Sequence, residues 1–298
     1  DGICTKVNNN LTEIIDFMGN KNQYNYDNYN RLVDKKQTID NVDYNSNYTY
    51  DIYGNLIKEI KPFGLEVQYQ YDANGILKKV YNNNTNFFTA SALNGLGQYK
   101  QYYLGNGALT QNTYYYGMPT NFQTPGIQDL TLQYDYQTGN ILDRADGISG
   151  NSENFTYDNL NRLTSSQVTG QNVMNFNYDV GSITKGNIQH NDYVNGNYGY
   201  NSPQKHAVLL VDNPNSTTLP PDNMSTDVQD ISYTPFQKIN NITENGYQQA
   251  FTYNANYQRV KSELTQSGNI LESKIYLDDC EILSVNGTTK VIYYIAGG

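Results

Sequence analysis

Eight times along the chain an apolar or aromatic residue, one spacer and a tyrosine are followed by a short polar residue. The copies are Tyr24-x-Tyr26-Asp27, Tyr48-x-Tyr50-Asp51, Tyr69-x-Tyr71-Asp72, Leu132-x-Tyr134-Asp135, Phe155-x-Tyr157-Asp158, Phe176-x-Tyr178-Asp179, Ile231-x-Tyr233-Thr234 and Phe251-x-Tyr253-Asn254. Residues two apart share one face of a strand, because strand side chains alternate. Tyrosine, phenylalanine and isoleucine also favour strands. Each copy therefore predicts a strand with one aromatic face. The following Asp, Asn or Thr carries an oxygen that can take nearby backbone N–H groups and open a turn.

Four residues after the second tyrosine stand Asn30, Gly54, Gly75 and Asn161; Gly139 comes one residue later in its copy and Gly181 one earlier. Glycine and asparagine best tolerate the positive φ that tight hairpins need. An apolar position then returns at Leu32, Leu56, Leu77, Ile141, Leu163, Ile183 and Ile239. The unit reads strand, short turn, strand. Asn-Gly pairs at 74, 94, 106, 195, 245 and 286 add further hairpin signals.

Successive second tyrosines lie 24, 21, 63, 23, 21, 55 and 20 residues apart, and 63 is three units of 21. A fixed period of this kind marks a repeat architecture built from neighbour contacts, a wall or surface before a pocket. One hairpin alone is marginal, whereas a row of them buries the aromatic stripe. The pairs Tyr24/Tyr26, Tyr48/Tyr50, Tyr69/Tyr71, Phe155/Tyr157, Phe176/Tyr178 and Phe251/Tyr253 are expected to form stacked aromatic ladders. The fold class is all-β. Residues 1–200 form the hairpin array. Residues 201–230 interrupt it with an apolar strand over 207–211 and a Pro/Ser/Thr/Asp loop over 212–230. Residues 231–298 carry degenerate repeats. Helical spacing is hinted at only over 11–18, where a strand fits as well.

Composition sharpens this picture. Among 298 residues there are 30 tyrosines and no tryptophan, and hydrophobic residues make up 37%. Tyrosine carries much of the apolar load while its hydroxyl keeps a polar contact, which suits a partly wet sheet face. Charged residues are 16%, so the chain is not disordered by charge. The net charge of −10, with no basic stripe, argues against nucleic-acid binding. No apolar run is long enough for a membrane-spanning helix.

Candidate chemistry is sparse. His190 and His206 lack local partners for a metal site. Asp278-Asp279-Cys280-Glu281 could hold Ca²⁺, but reads first as a solvated turn before a strand. Cys4 and Cys280 allow one bridge and no framework; two unrelated thiols is the simpler reading. No phosphate loop, nucleophile elbow or His-Glu-x-x-His occurs. No catalytic, cofactor-binding or metal residue is expected, and the chain is expected not to be an enzyme. The residues singled out are structural: Tyr26, Asp27, Tyr50, Asp51, Gly54, Tyr71, Asp72, Gly75, Tyr134, Asp135, Tyr157, Asp158, Tyr178, Asp179, Tyr233 and Tyr253.

The segments Tyr50-Asp51-Ile52-Tyr53-Gly54-Asn55-Leu56 and Tyr71-Asp72-Ala73-Asn74-Gly75-Ile76-Leu77 resemble the YD repeat, Tyr-Asp-x-x-Gly-Asn/Arg-Leu, of the Rhs family. Tyr157-Asp158-Asn159-Leu160-Asn161-Arg162-Leu163 matches with Asn for Gly. Pro203-Gln204-Lys205-His206-Ala207-Val208 resembles a His-Ala-Val element found late in such regions, and Ile231–Phe236 and Gln258-Arg259-Val260 also resemble late-region sequence. Thr234, Asn254 and Tyr257 depart from the consensus. The resemblance covers nearly the whole chain. It implies hairpin strips wound into a curved, spiralling sheet, part of a shell like those of bacterial polymorphic toxins, toxin-complex cocoons and teneurins. It further implies a secreted or cell-surface bacterial protein whose shell encloses a C-terminal toxin. The partners implied are the remainder of its own chain and secretion or delivery proteins, with no cofactor. The chain then reads as a fragment of a larger protein, without the family's autoproteolytic segment or variable toxin domain. An extracellular adhesin or receptor-binding module is the alternative.

Overall fold

The computed structural model describes residues 3–7, 10–16, 18–83, 85–180, 186–192, 196–200, 205–208, 210–212 and 229–295. Gly181, Ile183, Asn195, Pro203, Gln204 and most of the 212–230 loop lie outside the described residues. Within them the protein is all-β, with 27 strands; every pairing given is antiparallel. The helical content is one 3₁₀ turn, Pro62–Gly64. The stretch 11–18 is a strand, Asn10–Ile15, followed by a turn at Asp16. The pairings connect strands that follow one another in sequence, so each hairpin leans on the next.

All eight tyrosine units form hairpins. Tyr50 ends the strand Val42–Tyr50, which pairs with Leu56–Ile60. The turn between them is fixed by Asp51. Its N–H donates to the Asn55 carbonyl (3.0 Å), and the Gly54 N–H donates back to the Asp51 carbonyl (3.2 Å). The Asp51 Oδ1 accepts the N–H groups of Tyr53 (2.8 Å) and Asn55 (2.9 Å). Asp27, Asp72 and Asp158 repeat this arrangement. The fourth residue of the turn is left-handed in each: Asn30 at φ 61°, Gly54 at 89°, Gly75 at 77° and Asn161 at 58°. In the Asp135 turn the left-handed residue is Gly139, one place later, as its sequence spacing predicts.

A feature the sequence pattern did not announce accompanies every unit. Directly before each second tyrosine the strand register shifts. Tyr50 lies opposite Leu56 but Thr49 lies opposite Lys58, so Ile57 is an extra residue on the return strand. Such β-bulges bend a strand and re-aim the side chains beyond them.

The described chain forms two compact units. The first comprises Asp1–Ala90, Leu104–Asn106 and Asp227–Gly298; the second comprises Ser91–Tyr103 and Gly107–Thr226. In the first unit a meander from Ile3–Val7 to Leu77–Asn82 meets a second meander from Asp230–Tyr233 to Thr288–Tyr293. Their apolar meeting point is Ile39 and Tyr44 from one, with Val260, Leu277, Cys280 and Ile282 from the other. In the second unit the meander continues through 109–191, and Leu210–Asp212 pairs with Gly196–Gly199.

The departures Thr234 and Asn254 keep the same turn, closed by Thr234 N–H to the Lys238 carbonyl (2.8 Å) and Asn254 N–H to the Gln258 carbonyl (2.9 Å). Their left-handed residues are Gln237 (φ 64°) and Tyr257 (φ 60°), where side chains with a Cβ are strained. Gln237 is exposed, whereas Tyr257 packs on Phe236 at 4.6 Å. Gln237→Gly is therefore expected to raise stability by about 0.5–1 kcal/mol, and Gly54→Ala to lower it by about 1 kcal/mol. Urea unfolding of the two variants beside the parent checks both signs.

Candidate functional site

The bulge creates a recurrent slot. Beyond it, the first aromatic of a unit faces a partner across the hairpin: Tyr24 faces Lys35, Tyr48 faces Glu59, Tyr69 faces Val80, Phe155 faces Ser166, Phe176 faces Asn191 and Phe251 faces Ser262. These six partners are all buried, between 0 and 9% exposed. Val and Ser suit such a slot. Lys and Glu do not unless they are paired.

Repeats are also tied to one another by tyrosine hydroxyls. The Tyr50 hydroxyl donates to the Leu32 carbonyl (2.8 Å), and Leu32 follows the turn of the preceding unit. Tyr71 reaches Leu56 (2.9 Å), Tyr157 reaches Ile141 (2.8 Å), Tyr253 reaches Ile239 (2.7 Å) and Tyr26 reaches Leu11 (2.9 Å). The expected stacked ladder is corrected here. Ring pairs occur elsewhere, as at Tyr44–Phe63 and among Tyr115, Tyr116 and Tyr136. What recurs between repeats is a hydrogen bond from a phenol to a backbone carbonyl. Arginine at the end of the turn adds a second tie: Arg31 donates to the Asp51 carbonyl (3.0 Å) and lies over the Tyr50 ring, and Arg162 lies over Tyr178 at 4.5 Å. Tyr134 sits beside Tyr136, Tyr233 pairs with Ile239 across its hairpin, and the Asp179 N–H closes a longer turn on the Asn187 carbonyl (2.8 Å).

Three members of the latch set had no Tyr-Asp unit to mark them. Tyr114 reaches the Tyr99 carbonyl, Tyr200 reaches Ile188 and Tyr293 reaches Pro62. Asp16 and Asn94 cap turns of the same kind, and only the Asp-x-x-Gly-Asn and Asn-x-x-Gly-Gln spacing at 16–20 and 94–98 announces them.

In two adjacent repeats the slot holds a buried charge, Lys35 and Glu59, and the C-terminal meander covers both. Asp278 pairs with Lys35, and Asp279 pairs with Lys61. Lys61, 3% exposed, also binds Glu59 at 2.9 Å, and the Tyr69 hydroxyl donates to the same Glu59 oxygen at 3.0 Å. Lys261 adds a pair with Asp40 (2.7 Å) at the edge of the contact. The 278–281 cluster is thus more than a solvated turn. Its first two carboxylates reach the two buried lysines, 243 and 218 residues away in sequence. Among the described residues no group of His, Cys, Asp and Glu is placed to hold a metal ion. His190 bonds Asp192 (3.1 Å) and His206 bonds Asn187 (2.7 Å), which in turn donates to the Lys205 carbonyl.

The environment sets the charges. Burial, then the hydrogen bond with Asp279, pushes the Glu59 carboxyl above its usual range. Burial acts to lower Lys61, but its bonds to Asp279 and Glu59 outweigh it and hold the ammonium firmly protonated. Burial, then the Glu59 charge, raises the phenols of Tyr48 and Tyr69. Burial, then Asp279, pushes the Cys280 thiol up to about 12, so this cysteine is no nucleophile; both cysteines are free. The chemistry of the site is cohesion. It joins two sheets by charge and offers no activated acid, base or nucleophile with open access to a substrate.

The turn aspartates behave oppositely. The Asn55 side chain holds Asp51 below the usual carboxylate range, and the Arg162 side chain does so for Asp158. A carboxylate depressed in the fold stabilises above its unfolded value and loses that contribution as pH falls through the folded one. Asp51→Asn keeps an oxygen for both N–H groups, as Asn94 and Asn254 already do. It is expected to fold like the parent and to lose part of the acid sensitivity below about pH 4, whereas Asp51→Ala is destabilised at every pH. Thermal midpoints from pH 2 to 7 distinguish the three. For the latch, Tyr50→Phe is expected to cost about 1 kcal/mol, the usual worth of one hydrogen bond, with Phe replacing Tyr at the exposed Tyr53 as the silent control.

No protein-family model and no curated protein matches the chain. Solved structures do. The crystal structure of TcdB2-TccC3-TEV aligns over 97% of this chain with a TM-score of 0.68 at 14% identity. That of TcdB2-TccC3-Cdc42 aligns over 97% with a TM-score of 0.67, also at 14% identity. The Photorhabdus luminescens Tc holotoxin pore carrying TccC3-D651A aligns over 97% with a TM-score of 0.65 at 13% identity. The chain spans 18–19% of the length of the chains it matches. The all-β hairpin fold is therefore one found within toxin-complex chains.

Proposed function

We propose that this chain is a wall segment of an Rhs-type shell that encloses and sequesters a toxin cargo in a secreted bacterial toxin, without catalytic activity of its own. The observation that carries this reading is the hydroxyl latch between consecutive hairpins. It recurs from Tyr26 to Tyr253 and makes each repeat a course laid on the previous one. The fold likeness to toxin-complex chains supports it, as does the absence of an accessible activated side chain among the described residues. Its mechanism is exclusion: a sheet closed by neighbour contacts keeps a polypeptide away from proteases and from premature contact with other proteins. The partners in this reading are the rest of the same polypeptide and the machinery that delivers it. No helix among the described residues is long and apolar enough to cross a membrane.

Limited proteolysis of the polypeptide that carries this segment tests the proposal. An enclosed cargo resists protease in the native protein and is cut rapidly once the wall is opened by denaturant. Cargo cut at the rate of an unfolded control, together with binding of the native protein to intact cells, would favour the adhesin reading instead.

A further inference from the structure

Five charges meet where the C-terminal meander of the first unit covers the N-terminal one: the carboxylates of Glu59, Asp278 and Asp279 and the ammonium groups of Lys35 and Lys61. Lys35 and Asp278 neutralise each other at the outer end, beside the Tyr24 ring. That leaves one ammonium, Lys61, between two carboxylates, Glu59 and Asp279, both of which it binds. Among the described residues Lys61 is the cation paired with Glu59 and Asp279. Tyr69 and Tyr48 face Glu59 from the neighbouring strands, and Cys280 and Tyr293 close the cluster from the C-terminal meander. Two carboxylates on one ammonium repel each other; Asp279 keeps some exposure while Glu59 is buried, so a proton on Glu59 completes the charge balance.

We propose that Glu59, Lys61 and Asp279 form a proton-operated clasp: the two carboxylates share one buried ammonium, and the C-terminal sheet is held most tightly when Glu59 carries a proton. The sign follows from linkage. Burial and Asp279 raise the Glu59 carboxyl in the fold, so between the ordinary glutamate value and the raised one the closed seam holds a proton that the open one releases. Stability is then full on the acid side of this window and falls as pH rises through it. Lys61, raised by its partners, loses its contribution only on the far alkaline side. The clasp is a device of the fold itself and holds whether or not the wall encloses a cargo. In a wall, it would hold this seam more tightly on the acid side of that window than above it.

Hydrogen exchange of the strands Cys280–Val285 and Thr288–Tyr293 in the full chain, corrected for intrinsic rate, reads the opening directly. Both histidines belong to the second unit and do not confuse the reading. Wild-type protection is expected to fall as pH rises above the ordinary glutamate range, by up to about tenfold per pH unit, the slope of one proton. Glu59→Gln, which keeps the shape without the titration, is expected to stay protected and to flatten that slope. Wild-type protection that is flat or rises with pH, or a Glu59→Gln protein with the wild-type slope, overturns the clasp. Should Glu59→Gln fail to fold, NMR titration of the Glu59 carboxyl in the wild-type chain decides. Proton uptake above the ordinary glutamate range supports the clasp, and uptake within or below that range overturns it.

Discussion

In the turns of Asp27, Asp51, Asp72 and Asp158 a carboxylate oxygen takes two backbone N–H groups, as Asp51 does from Tyr53 and Asn55. These donors would otherwise be left to water in a tight loop. Satisfying both fixes the loop at one length and puts the left-handed residue at one place. The fixed loop sets the register of the hairpin, and the register sets the bulge opposite the tyrosine. The bulge then decides which side chain faces the first aromatic, and where the tyrosine hydroxyl can reach. Latch, slot and seam are consequences of one turn repeated. That explains why Thr234 and Asn254 are tolerated in place of Asp: each still offers an oxygen in the right position.

The slot shows how one geometry accommodates different physics. In several units it is filled by small or apolar groups, as at Val80, Ser166 and Ser262. In two neighbouring units it holds Lys35 and Glu59, with Lys61 in the next turn. Burying such groups is costly, and a buried ion pair is poor evidence for stability compared with apolar packing. What the charges do supply is discrimination. An apolar slot accepts any apolar cover, whereas Lys35 and Lys61 accept a surface that presents two adjacent carboxylates at the right spacing, which Asp278 and Asp279 do.

The fold was legible because its signals are local. Period-2 aromatics, an Asx residue and a Gly or Asn four places on identify a hairpin within a dozen residues, and all eight marked units are hairpins. The bulge was not legible, because it is produced by loop closure and leaves no residue type of its own at Val33, Ile57 or Lys78. The ladder was read from the right residues with the wrong force. Tyrosine in place of phenylalanine was the clue that a hydroxyl, and not a stacked ring, makes the contact. The seam was illegible for another reason. Lys61 in Lys-Pro-Phe-Gly looks like an exposed turn residue, and its partner lies 218 positions away, beyond any periodicity.

Contacts between neighbours and contacts across the chain carry different consequences. A row of latched hairpins behaves like a one-dimensional array, in which each repeat is stabilised by the next and a defect is felt mainly nearby. Such an array has no intrinsic closing step and can fray from either end. The seam of the first unit breaks that pattern, because residues 278–293 bind residues 35–62 directly. Tyr293 uses the same hydroxyl-to-carbonyl bond, now aimed at Pro62, that elsewhere joins adjacent repeats. The meander thus closes on itself with the device that extends it. The charges beside that bond confine closure to one register, and they make the strength of this junction depend on charge as well as on packing.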